Sequence, residues 1–233
     1  MEQEKQNLVS VLIDGQEQQV AQGTLVLRAI EQHGGQVPTL CHVMGVTPRG
    51  ACRICTVKIN QRLQTACTTP VSEGAEIITN DEELTQLRKQ IVEMMLAEGN
   101  HICPFCQKSG ACELQDLAYQ FGITVPSYPF VFPDRDVEAS HPKLVKDHNR
   151  CILCKRCIRL IKDEEGKRLF AFRKRGAKLS IQIDTELARE MSDELAQQAV
   201  ACCPVGAILP REGAYQTPIG KRRFDHKTEK EGL

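Results

Sequence analysis

Cysteine placement constrains this chain more than any other feature. Twelve of its 233 residues are cysteine. Cys52 with Cys55, Cys103 with Cys106, and the run Cys151, Cys154, Cys157 keep C-x2-C spacing, and Cys202 and Cys203 are adjacent. Such a turn aims its thiolates at one centre. Disulfides explain the pattern poorly. The first residues, MEQEKQNLVSVLIDGQ, lack the charged start, apolar stretch and small-residue cleavage site of an export signal, and cytosolic thiols stay reduced. The expectation is a cytoplasmic protein whose loops wrap around metal.

Composition narrows the rest. Lys plus Arg and Asp plus Glu number 30 each, so no net field draws the chain to nucleic acid or to an anionic membrane. No run of about eighteen apolar residues appears, so direct membrane contact is not expected. The 41% apolar content suffices for small packed domains.

Residues 8–20 alternate apolar and polar around Asp14-Gly15, which predicts a hairpin. A helix is predicted over 24–33, stopped by Gly34-Gly35, with strands at 55–60 and 75–80. Two strands, a helix and further strands in that length predict a β-grasp sheet. Asn80 or Asp81 can cap a next helix with an apolar stripe of Leu84, Leu87, Ile91, Met94 and Met95, and another helix is predicted near 110–121. Pro126, Pro129, Pro133 and Pro142 mark an extended surface connector. Beyond it come a cysteine-opened short helix, two strands and a helix from about Ser192.

The expected fold class is α+β. Residues 1–80 form a [2Fe-2S] ferredoxin-like β-grasp domain and 81–122 a helical [4Fe-4S] domain with one histidine and three cysteine ligands. Residues 123–147 are the connector, 148–210 a bacterial-ferredoxin-like domain with one [4Fe-4S] cluster, and 211–233 a polar tail, solvated or draped on a partner.

The first ligand set is Cys41, Cys52, Cys55 and Cys67, spaced C-x10-C-x2-C-x11-C. Three donors on one loop and one distant donor is the logic of two-iron ferredoxins, and Gly45, Gly50 and Ala51 let the loop backbone approach sulfur. Zinc is the bland alternative, less suited because structural zinc favours two short paired motifs.

The second set, HICPFCQKSGAC, holds only Cys103, Cys106 and Cys112, so His101 is taken as the fourth donor. A neutral imidazole makes the cluster one charge less negative and raises its potential. A water or another group in that position, or His148, is the alternative.

The third set is Cys151, Cys154 and Cys157 with Cys203, the cysteine directly before Pro204. A two-cluster ferredoxin would need further cysteines where Ile161, Asp193, Ala196 and Ala199 stand, so one complete set survives and Cys202 is left as an ordinary thiol.

With these residues in view, the first segment and the run CELQDLAYQFG resemble the large iron–sulfur subunit of respiratory complex I. In that family the ligand histidine stands four residues before the first cysteine, a place held here by Gly99. Nearly the whole chain, including DHNRCILCKRC, the missing second ferredoxin cluster and the tail after PVGAIL, resembles the small diaphorase subunits of soluble NAD-reducing nickel–iron hydrogenases. The resemblance implies an electron relay with one [2Fe-2S] and two [4Fe-4S] clusters. Its implied partners are an FMN- and NAD-binding diaphorase subunit and the hydrogenase small and large subunits. G-x-G-x-x-G and P-loop motifs are absent, so no FMN, NAD or catalytic site is expected in this chain. The same relay in a formate dehydrogenase or a complex I-like module is the alternative within this class, and a free-standing redox carrier or sensor the alternative outside it.

Overall fold

The structure is a computed structural model and describes residues 7–225; the polar stretches 1–6 and 226–233 lie outside the described residues. Contacts divide the chain into two units, before and after Ile91.

In the first unit, β1 (Leu8–Ile13) and β2 (Gln16–Ala21) form the predicted hairpin. Asp14 and Gly15 both take left-handed backbone, at φ 47° and 81°, which suits a two-residue turn between twisted strands. The Asp14 carboxylate also accepts from the Thr79 amide (2.7 Å) and hydroxyl (2.6 Å), tying the turn to a distant strand end. Next come α1 (Val26–Gln32), β3 (Thr56–Ile59), β4 (Arg62–Thr65) and β5 (Ala75–Ile78). The sheet order is β2-β1-β5-β3-β4, with β1 and β5 parallel.

Strand β4 escaped the sequence reading because RLQT buries only Thr65 and so lacks an apolar alternation. Its turn is made by Asn60 and Gln61, again at positive φ. Val9, Val11, Ile13, Val26, Leu27, Ile30, Val57 and Ile77 share one core with Cys55 and Cys67. Each such aliphatic side chain contributes about 1.5–3 kcal/mol. The first sulfur set is thus anchored in the hydrophobic interior.

Helix α2 (Glu82–Glu98) begins at a cap in which Asp81 accepts from the Leu84 amide at 2.8 Å. Its buried line differs from the predicted stripe. Leu84, Arg88 and Val92 are buried, whereas Met94 is exposed. Arg88 takes a core position because its guanidinium donates to the Thr56 carbonyl (2.8 Å) and the Thr79 carbonyl (2.7 Å).

The second unit holds α3 (Glu113–Gln120), β6 (Val137–Glu138), β7 (Leu144–Asp147), α4 (Arg156–Leu160), β8 (Phe170–Arg173), β9 (Ser180–Ile183), α5 (Asp193–Cys202) and β10 (Ile208–Pro210). Strands β8 and β9 pair, and β10, β7 and β6 form a second small sheet. That sheet takes up the end of the expected connector, whereas 124–136 are irregular and largely exposed. Leu144 and Lys146 are buried in β7, where pairing with β10 supplies backbone bonds that no local pattern announces. Helix α3 starts three residues after the predicted 110, with Cys112 as its N-cap residue, and α5 starts where Ser192 accepts from the Leu195 amide. The tail is also pinned as far as it is described: the Phe224 amide donates to the Gly110 carbonyl and Arg222 to the Ser109 carbonyl. Among the described residues no helix is long and apolar enough to cross a membrane.

Candidate metal centres

Cys41, Cys52, Cys55 and Cys67 are all buried, three of them on the irregular 34–55 segment and its exit into β3, the fourth after β4. The Cys52 amide donates to Cys41 Sγ at 3.5 Å. The Cys52 thiol is pushed up by its bond with Cys41 and then by burial, and Cys55 likewise by its bond with Cys67 and then by burial. Cys67, favoured by that bond from Cys55 and aided by the Gly50 amide, is drawn down to about 7. Cys67 also feels Cys41, and Cys55 feels Cys52, so the four sulfurs form one electrostatic group. Burial and mutual repulsion oppose ionising them together, which is the situation a multivalent cationic core relieves. Arg88 is the buried cation on this side, within charge contact of Cys55.

Gly50 meets two demands at once. Its φ is +57°, and a Cβ there would lie 3.2 Å from Thr65 Oγ1. Gly50→Ala is therefore expected to lower stability by about 1–2 kcal/mol while the two-iron signal persists. Thermal unfolding followed with electron paramagnetic resonance (EPR) checks both.

In the second set, Cys106 is buried and Cys103 and Cys112 partly so. Cys103 rises through burial and the nearby Cys106; Cys112 is pushed up to about 12 by burial, although the Gln115 and Leu114 amides at the start of α3 point at it. Arg150 Nη1 lies 3.5 Å from Cys106 Sγ. Gly206 packs on the same sulfur so closely that any side chain there would collide with it.

His101 is not drawn into that group as placed. Its imidazole bonds to the Met95 carbonyl and feels chiefly Arg150, Asp147 and Arg135, while its own carbonyl meets Cys103 Sγ at 3.7 Å. Burial lowers its pKa to about 4, so the ring is neutral at pH 7. A Cβ built at Gly99 would lie 2.5 Å from His101 Nε2. The imidazole therefore fills the space that a side chain at position 99 would need. His148, the rival, sits instead beside Glu138, at 3.7 Å.

The third set surrounds one small cavity lined by Cys151, Cys154, Cys157 and Cys203. Cys154 and Cys157 are both raised, first by burial and then by Cys203. Leu153 and Lys155, on either side of Cys154, take left-handed backbone at φ 52° and 65°. The tight turn brings the Arg156 amide onto the Cys154 thiol. Cys203 ends α5 in extended backbone, φ −75° and ψ 118°, because the residue before a proline is kept out of the helical region. Cys202, still helical, bonds to the Ala199 carbonyl at 3.2 Å and does not line the cavity.

The second and third sets are joined by short connections. Arg156 makes a two-point bond to Glu113 at 2.9 and 2.7 Å, and the Glu113 amide donates to the Pro204 carbonyl at 2.8 Å. Residues 203–206 thus carry a sulfur of one set at one end and abut a sulfur of the other at Gly206. The donor sets suit iron–sulfur clusters in chemistry. Among the described residues no group of three or more His, Cys, Asp or Glu meets the geometry of a single metal ion.

Three family models match in succession: a 2Fe-2S iron–sulfur cluster binding domain over residues 6–82, the NADH-ubiquinone oxidoreductase-G iron–sulfur binding region over 88–126, and the NADH-quinone oxidoreductase subunit 3 ferredoxin-like domain over 141–209. The gamma subunit of the NAD-reducing hydrogenase HoxS of Cupriavidus necator is 39% identical over 93% of both chains. This chain belongs to the family of that gamma subunit. A crystal structure of an NAD+-reducing [NiFe]-hydrogenase contains a chain of the same fold, with a TM-score of 0.85, 38% identity and 94% coverage of both. The alpha subunit of the NADPH-Fe(3+) oxidoreductase of Geobacter sulfurreducens is 35% identical over 88% of this chain, which spans 24% of that longer relative. The family carries one [2Fe-2S] domain and two [4Fe-4S] domains within this length, and the mixed α and β elements agree with that division.

Proposed function

We propose that the chain is the iron–sulfur relay of an NAD-reducing hydrogenase, placed between an FMN- and NAD-binding diaphorase subunit and the [NiFe]-hydrogenase small and large subunits. The overall reaction is H2 + NAD+ = H+ + NADH. The correspondence with the gamma subunit carries the reading, because at 93% of both chains it runs through all three sulfur sets, whereas the longer relative is matched over only 24% of its length. In this reading residues 1–80 fold as the β-grasp [2Fe-2S] domain, 81–122 and 148–210 as the two [4Fe-4S] domains, and no substrate is transformed within them.

Ligands are assigned as Cys41, Cys52, Cys55 and Cys67; His101, Cys103, Cys106 and Cys112; and Cys151, Cys154, Cys157 and Cys203. The clusters, when bound, take up and release single electrons, which splits the two-electron exchange at a flavin. The chain's own residues bury the sulfurs, place a cation beside each set, and hold two sets close through Gly206 and the Arg156 to Glu113 bond. Exposed Ile102, Phe105, Tyr119 and Phe132 support a chain that docks on partners rather than a free carrier. Iron and acid-labile sulfide analysis of anaerobically purified protein, with its co-eluting subunits identified, tests the proposal. Colourless protein without sulfide ends it, and co-eluting formate dehydrogenase or quinone reductase subunits move the relay to another assembly.

His101 is assigned as a ligand because its bond to the Met95 carbonyl uses one ring nitrogen and leaves the other as a donor to iron. His101→Cys adds one negative charge at that centre. Its expected result is unchanged iron content and a lowered midpoint potential for one four-iron centre in an EPR redox titration. If every centre stays where it was, the imidazole does not ligate.

A further inference from the structure

The third sulfur site contains a charged side chain that its ligand chemistry does not account for. Lys146 lies in β7 directly opposite Ile208 of β10, and both line the cavity shared by Cys151, Cys154, Cys157 and Cys203. Its side chain is among the most completely buried in the protein, at 1% exposure, and its Nζ has no hydrogen-bond partner among the described residues. An ammonium without an acceptor is one of the costliest groups to bury. The obvious acceptor is Glu138, its cross-strand neighbour on β6, which feels the Lys146 charge but makes no ion pair with it within 4.0 Å, its Oε2 lying 3.7 Å from His148. What remains on the Lys146 side of the cavity is apolar lining and sulfur.

We propose that the Lys146 ammonium donates a hydrogen bond to anionic sulfur in this site, cluster sulfide or ligand thiolate, and so holds this four-iron centre at a higher potential than its four cysteines alone would set. The proposal rests on the cluster assignment above. Reduction adds a negative charge to the centre, and a fixed positive charge in the low-dielectric cavity stabilises the reduced form more than the oxidised one. The same charge favours the thiolate of Cys157. Lys146 is thus a positioning residue, and neither a ligand nor a catalytic group.

The test uses the intact chain, purified anaerobically with its accompanying subunits and grown with lysine carrying 15N at the side-chain ε position alone. Electron spin-echo spectroscopy of the reduced protein is expected to show a lysine nitrogen coupled to one four-iron centre. Lys146→Met is expected to keep the iron and sulfide content and to lower one four-iron midpoint. The oxidised-to-reduced ratio at fixed potential then rises on the order of tenfold, about 59 mV for one electron. Lys146→Arg restores most of that shift, which a filler role would not. A fully loaded Lys146→Met with an unmoved midpoint overturns the proposal, as does a loaded parent protein without lysine coupling. If Lys146→Met fails to assemble, the spin-echo result on the unaltered chain decides. Parent protein lacking iron and sulfide would refute the relay assignment itself, a result separate from the loss of the lysine signal.

Discussion

Cys203→Ala strips one complete four-iron cluster from the chain, while Cys202→Ala leaves iron and sulfide at the parent level. The two cysteines are neighbours of the same chemical type, so the contrast isolates backbone geometry. Pro204 keeps Cys203 extended and turns its sulfur into the cavity with Cys151, Cys154 and Cys157. Cys202 remains in the last turn of α5, bonded to the Ala199 carbonyl. Without Cys203 the cavity offers only the thiolates of Cys151, Cys154 and Cys157 among apolar side chains and Lys146. Iron and sulfide assays of both variants, with EPR to identify the vanished centre, check the result. Equal iron loss from both would place the fourth ligand at 202 or make the pair interchangeable.

Arg156→Met is expected to produce the largest loss of stability. The Arg156 side chain is 7% exposed and Glu113 18%, and their two-point bond links α4, which carries Cys157, to α3, which begins at Cys112. Removing the guanidinium leaves a largely enclosed carboxylate without its main partner, since Arg223 reaches it only at 3.5 Å from an exposed position. Breaking a buried pair in this way costs about 3–5 kcal/mol, or roughly 10 °C in Tm for a chain of this length. The double variant Arg156→Met with Glu113→Met should recover much of that loss, because the stranded charge is gone. Anaerobic thermal unfolding of cluster-loaded protein, followed by its visible absorbance, gives both values. An unchanged Tm in the single variant would mean that water solvates Glu113 well enough to replace the pair.

Much of the fold was legible where chemistry is local. Asp14-Gly15 announces its hairpin because two left-handed residues are needed there, and Asp81 and Ser192 announce helix starts because their oxygens reach an amide three residues on. Elements whose own residues carry no pattern were not legible, whether the partner strand is near in the chain, as for β4, or far, as for β7. RLQT of β4 and LVKD of β7 carry no alternation that separates them from loop, and each is a strand only because a partner strand supplies its hydrogen bonds. The same limit rotated the buried line of α2 toward Arg88, whose acceptors are carbonyls in another part of the first unit.

At the candidate sites the division is the same. C-x2-C spacing, a cysteine before proline, and the family match over nearly the whole length are properties of the linear chain, because a three-residue turn and a proline act on their immediate neighbours. The sequence therefore determined how many clusters the chain has and which cysteines are proposed to hold them. Tertiary structure alone decided which charges face them, Lys146 beside the third set, Arg150 on Cys106 and Arg88 near Cys55, and it folded the neutral His101 ring over the space at Gly99. Long-range electrostatics depends on distance in space, and residues that spacing along the chain does not relate are brought within a few ångströms only by folding.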